Sequence, residues 1–425
     1  MHRIRLLLLL PLLVFAALLP RSLHGQAAPA STAPLAVYLD CQDGGCDFDF
    51  FRTDITFVNW VRDRQVADVH LLVSSQQTGS GGREYTVTFI GLRQYASLTD
   101  TLTYAQPPAS TEDERRRGLA RTFRAGLVRY LARTDAASRL TISMSGPRAA
   151  AQAGQRDPWN FWVFRVGMNS WFNGEETYKS ADLNGHLNAD RITQKWKTRV
   201  AIRQSYNQNE FELDSVTTFV NIQRSYGGNF LQARGLGEHW SVGGRANFSS
   251  STYDNFLRAV RLFSAVEYNI FPYSQSTRRQ ARIEYNLGYA RFDYRDTTIL
   301  ERMHDQMPLQ RLILSTSAKE PWGSVDIGVV GTSYLNDTDQ YRIGANGELS
   351  WRIFKGFNLN VFGGYEYIQD QFFLAKKDFT PEQILTRQYR LPTNYYYWGS
   401  VGISYTFGSI LNNIVNPRFG PYFFD

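Results

Sequence analysis

The sequence predicts a mainly β protein: an antiparallel transmembrane β-barrel of about 12 strands, preceded by a small α/β domain. Three observations predict it. Between residues 159 and 407, segment after segment alternates apolar and polar positions, and side chains on a strand point in turn to opposite faces. The longest apolar run stands at the start, Leu6 to Leu19, and no later run approaches the ~18 residues of a spanning helix. Aromatic residues make up 14% of the chain, with 24 Tyr and 28 Phe. Several close the alternating segments, as the girdles of a membrane barrel do.

The first residues predict export. His2, Arg3 and Arg5 precede the apolar run, and a small-residue site at Gly25-Gln26-Ala27 follows it, so residues 1–27 read as a signal peptide. A net charge of +7 and a pI near 9.2 raise nucleic acid as a partner, and export argues against it. Cys41 and Cys46 are the two cysteines. Their spacing, with no second Cys or His pair, does not complete a zinc site. In an oxidising compartment a disulfide across the Gly44-Gly45 turn is favoured over a metal or redox pair.

Residues 35–146 read as an α/β domain. Leu35 to Leu39 is a short strand. Asp49 to Val61 carries Phe51, Ile55 and Val58 at helical spacing. Val66 to Ser75 and Glu84 to Leu92 are strands joined through Gly79-Ser80-Gly81-Gly82, with Leu98 to Tyr104 as a third member. That glycine run lacks the Lys-Ser/Thr ending and the helix of a phosphate loop. Thr111 and Glu114 form a capping box for a helix to about Arg133, with an apolar stripe of Leu119, Phe123, Leu127, Val128 and Leu131. Six arginines line its other sides and read as a solvated face. A strand at Leu140 to Met144 closes the sheet. This order of elements resembles the small α/β domain at the N-terminus of TolB and the related core of CsgG-type secretion proteins. The resemblance implies binding and assembly rather than catalysis. Residues 147–158, rich in Ala, Gly, Gln and Pro, read as a linker.

The barrel is expected over residues 159–407, in twelve alternating segments. The first sets Trp162, Phe164, Val166 and Met168 against Arg165, Gly167 and Asn169. The last sets Tyr395, Tyr397, Val401, Ile403 and Tyr405 against Ser400, Gly402, Ser404 and Thr406. An even count suits a single-chain barrel, and so do long connections on one side (Phe292–Pro308, Gln369–Asn394) and tight ones on the other (Glu320–Gly323, Lys355-Gly356). Gly227–Glu238 is long for its side. Here the chain resembles bacterial outer-membrane β-barrel proteins. The ending Tyr405-Thr406-Phe407 resembles the signal read by the barrel assembly machinery, although a tail, residues 408–425, follows it. The resemblance implies an outer-membrane location, contact with outer-membrane lipids and with that machinery during biogenesis, and a periplasmic N-terminal domain. That domain would contact a periplasmic protein partner in transport or envelope assembly.

No catalytic, cofactor or metal site is expected. A lipase-like or protease-like barrel, the alternative reading, would need a nucleophile–His pair or loop carboxylates beside a histidine. The candidates are His186, His239 and His304, with Asp293, Asp296, Glu301 and Asp305. The inward phase places Arg165, Lys195, Lys197, Arg199, Arg203, Arg245, Arg261, Arg282, Arg342 and Arg352 in the lumen. Glu267, Glu284, Asp326, Glu348 and Glu366 join them, so ten bases face five acids. Those charges either pair and plug the lumen or leave a narrow channel that favours anions.

Overall fold

The computed structural model describes residues 34–42, 45–79, 81–142, 157–212, 216–409 and 418. The expected signal peptide, residues 147–156 of the linker and all of the tail beyond Ser409 except Arg418 lie outside them.

Two sheets carry the fold. The smaller is built from β1 (Ala36–Cys41), β2 (Asn59–Trp60), β3 (Val69–Gln77), β4 (Arg83–Gly91) and β5 (Thr99–Gln106), in the order β2-β1-β3-β4-β5. β1 runs parallel to both neighbours, and β3, β4 and β5 form an antiparallel meander. Helix α1 (Phe48–Asp54) is shorter than the apolar spacing predicts. Asn59 and Trp60 leave the helix to pair with Ala36 and Val37, and sheet pairing overrides helical periodicity there. Helix α2 (Glu112–Leu131) starts at the Thr111–Glu114 capping box. Its stripe packs Leu119, Phe123 and Leu127 into one core with Phe51, Ile55, Val69, Leu71, Val87 and Phe89. Gly126 lies where an added Cβ would collide with the Phe89 ring, so this glycine sets how closely the helix approaches the sheet. Five of the six helix arginines hold carboxylates, among them Arg116 with Asp47 at 3.0 Å and Arg124 with Asp54. That face is laced by ion pairs rather than simply solvated. Leu140–Ile142 form no strand and follow a short 3₁₀ helix at Asp135–Arg139; the rest of that expected strand is outside the described residues. A disulfide joins Cys41 to Cys46.

Thr111→Ala should remove a cap worth about 1 kcal/mol. Amide exchange over Glu112–Arg115 in the full chain is expected to quicken roughly fivefold, which hydrogen–deuterium exchange reads directly.

The larger sheet has twelve antiparallel strands in sequence order. They are β6 (Trp162–Gly174), β7 (Tyr178–Ile192), β8 (Trp196–Glu212), β9 (Thr218–Gly235), β10 (Trp240–Ser251), β11 (Phe256–Asn269), β12 (Arg279–Tyr294), β13 (His304–Glu320), β14 (Gly323–Tyr334), β15 (Asp337–Phe354), β16 (Phe357–Ile368) and β17 (Tyr395–Tyr405). The segment Gly227–Glu238, expected as a long connection, is mostly strand: β9 continues through it and pairs with β8 and β10. Strands outrun the expected ten residues because their ends alternate among polar residues, where no apolar face marks them. Short links such as 321–322 and 355–356 gather at one end of the sheet, the turn end. Residues 295–303 and 369–394 lie at the other, the loop end. Among the described residues no ladder joins β6 to β17, and every residue of β17 is exposed.

Candidate functional site

The sheet curls around a chamber of about 1180 Å³. Its wall is polar: Asn184, Asn188, Asn207, Asn229 and Asn247, together with serines of β8, β9 and β10. The alternation explains this, since these positions share the phase opposite the apolar one. Arg203, Arg261, Arg311 and Arg342 also line it. Arg342 is held by Asp370 at 2.9 Å and by Glu366 at 3.5 Å, and Arg390 by Asp254 at 2.9 Å. Among the described residues, no carboxylate pairs with Arg203, Arg261 or Arg311. Arg311 donates to Thr332 at 3.2 Å and lies over the Phe263 ring; Arg261 lies over Phe292 at 5.0 Å. Arg311 is on the strand with the weakest alternation and does not stand among the expected lumen charges.

The other expected charges fall into three groups. Some pair below the chamber: Arg245 forks onto Glu284 at 3.0 and 2.9 Å, Arg282 lies 3.7 Å from Glu267, and Arg165 and Arg199 share the buried Asp190. Lys197 stands two positions before Arg199 in the inward phase of β8. Asp190 stands in the inward phase of β7, so its pattern position could have revealed it. Asp326 and Glu348 stand opposite each other in the β14–β15 register. Lys195 lies in the turn before β8 rather than on a strand, and Arg352 points out of the sheet to the small layer.

Both ends of the interior are covered. At the loop end, residues 369–394 fold inward. Phe372, Phe373 and Leu374 enter a buried cluster with Phe256, Phe263, Phe292, Leu309 and Tyr334. Asn255 Nδ2 donates to the Phe373 carbonyl at 3.0 Å. Asn221 and Gln223 of β9 donate to the carbonyls of Thr386 and Arg387 at 2.9 and 2.7 Å, so the segment spans the mouth. At the turn end sits the small α/β layer. Its β3–β4 turn presses Gly79 on Ile192 and Gly81 on Arg165. Arg62 donates to the Phe407 and Gly408 carbonyls at 3.3 and 3.2 Å. Lys355 reaches Asp63 at 3.1 Å, and Arg352 reaches Asp40 at 3.2 Å. The layer thus touches strands next to both free edges.

Asp40 is the centre of this dock. It is almost fully buried and also accepts from His70 Nε2 at 3.1 Å. Burial alone would raise its carboxyl, but the His70 hydrogen bond and the Arg352 charge hold it below the usual carboxylate range. Burial lowers His70 despite Asp40. Tyr38 lies under Arg352 at 5.1 Å, and burial, with Asp40 nearby, pushes its hydroxyl up to about 12.

The catalytic candidates are brought together only in part: Asp293 stands opposite His304 in the β12–β13 register, with Asp305 next to it, and all three are on strands rather than in the expected loop. Among the described residues, no hydroxyl is hydrogen-bonded to His186, His239 or His304. His186 packs over Gly167, and His239 meets the Asn269 carbonyl at 2.7 Å. Of the candidate carboxylates, Asp293 holds Arg258 at 2.7 Å, Glu301 holds Lys376 at 2.6 Å and Asp305 holds Arg302 at 2.9 Å. Among the described residues no three His, Cys, Asp or Glu side chains cluster to hold a metal.

No family model and no curated protein matches the chain. Ten chains among the solved structures do. One is the NanC porin, with 10% identity, covering 57% of this chain and 99% of that one at a TM-score of 0.26.

Proposed function

We propose that the chain is an outer-membrane β-barrel protein that takes small anionic solutes into its chamber, without catalysis. One observation carries the reading: Arg203, Arg261 and Arg311 face a polar chamber, and among the described residues no carboxylate forms an ion pair with them, Asp370 and Asp254 being taken by Arg342 and Arg390. Unbalanced cations in a confined low-dielectric space raise the local concentration of anions. The apolar phase of the strands faces lipid in this reading, where a closed barrel leaves no backbone group unsatisfied. The tight turns and the α/β layer lie on the periplasmic side. There the layer covers the turn-end opening, and its outward surface is where a periplasmic partner would contact it.

The purified full chain in a planar bilayer, under a salt gradient, tests this. Small conductance with an anion-sign reversal potential is expected, moving toward zero in Arg261→Gln/Arg311→Gln. A stable cation-preferring conductance would overturn the anion assignment. Recovery from cells as a water-soluble protein would overturn the membrane assignment.

A further inference from the structure

A second cavity, of about 420 Å³, lies between the small layer and the turn end of the large sheet. Its size is within the range of small-ligand sites, and its lining is of two kinds. Five arginine and lysine side chains face it against two carboxylates. Both carboxylates already have cations, Asp40 with Arg352 and Asp63 with Lys355. Arg62 turns to carbonyls at the end of β17. Arg64 is left half-buried, with no side-chain hydrogen bond or ion pair among the described residues. The other part of the lining is apolar. Trp322 and Ile353 belong to it and are 40% and 42% exposed. Ile353 stands in the apolar phase of β15, the phase assigned above to lipid, so the cavity opens onto the band of the sheet that meets the membrane surface.

We propose that this cavity binds an anionic glycerophospholipid from the leaflet at the turn end. Arg64 holds the phosphodiester, and Trp322 and Ile353 meet the first acyl carbons. A guanidinium fork suits a phosphate oxygen pair, and an amphipathic aromatic suits the headgroup level. A soluble phosphate would use the cationic part alone and leave the apolar part bare. The proposal rests on the membrane reading above. The bound lipid would bridge layer and sheet, adding to the Asp40–Arg352 contact.

The test is native mass spectrometry of the full chain in detergent after exposure to phosphatidylglycerol, to phosphatidylcholine or to inorganic phosphate. One retained phosphatidylglycerol is expected, with phosphatidylcholine retained at least fivefold less. Arg64→Gln should cut phosphatidylglycerol retention at least fivefold, and Arg64→Lys should restore much of it. Equal retention of the two lipids, or undiminished retention in Arg64→Gln, would overturn the proposal. Displacement by millimolar inorganic phosphate would reassign the site to a free anion and overturn the lipid. Heat-modifiable gel mobility, measured on the same samples, separates the two failures. Mobility kept with lipid lost counts against the site alone, and mobility absent in the native chain counts against the barrel.

Discussion

Replacing Phe372 and Phe373 together by Ser is expected to raise the bilayer conductance severalfold without loss of strand content. Both side chains are at least 95% buried, although their segment is an irregular connection. Phe373 lies 5.0 Å from the Phe256 ring, and Phe372 5.4 Å from Phe292 and 5.2 Å from Tyr334. Removing one buried Phe side chain costs roughly 3–5 kcal/mol where the site cannot collapse. The remaining anchors include hydrogen bonds from Asn221, Gln223 and Asn255 to carbonyls of the segment, each worth about 1 kcal/mol, and Arg342–Asp370 and Arg390–Asp254, which are partly exposed ion pairs. Such pairs contribute about 1 kcal/mol or less. The balance therefore shifts toward a segment that leaves the chamber mouth. Conductance equal to that of the native chain would show that this segment does not bar the passage.

Phe123→Asp is expected to unfold the small α/β layer while the twelve-stranded sheet persists. Phe123 is fully buried and meets Phe51 edge-on at 4.8 Å. An aspartate there either buries an unpaired charge or takes up a proton, and either way it loses the ring's packing. The combined cost is several kcal/mol, against a typical domain stability of roughly 5–15 kcal/mol. Trypsin reports the outcome in the full chain, because α2 carries Arg115, Arg116, Arg117, Arg121, Arg124 and Arg129. Rapid cleavage within α2, with heat-modifiable mobility retained, is the expected pattern. Native resistance in the variant would mean that the stripe is not a core.

The twelve strands were legible because period-two alternation is a strong signal wherever one face is apolar. It faded where both faces are polar, as in the loop-end half of β8, and where Gly227-Gly228 interrupts it, so the turn-end half of β9 was hidden as well. The inward charges were legible by phase, but their partners were only partly so. Arg245 and Glu284 could be placed in one lumen, whereas nothing in the pattern shows that Arg352 leaves it for Asp40, which lies 312 positions away. The inward fold of residues 369–394 was also hidden. Phe372-Phe373-Leu374 has no period to follow, and its burial depends on a pocket assembled from β11, β12, β13 and β14. The α/β layer was legible through its cap and stripe, and α1 was over-extended because Asn59-Trp60 answers to β1 rather than to its own helix.

Among the described residues no ladder joins β6 to β17, and under the proposed membrane reading this bears on the order of events in biogenesis. Each exposes a row of backbone donors and acceptors, and in hydrocarbon each unsatisfied group costs several kcal/mol. A sheet with two such edges can persist in water or against a chaperone, but not in a bilayer. Under the proposed membrane reading, the strand made last is then the one that permits entry: the chain would not settle into the membrane strand by strand, and insertion would coincide with the meeting of its first and last strands.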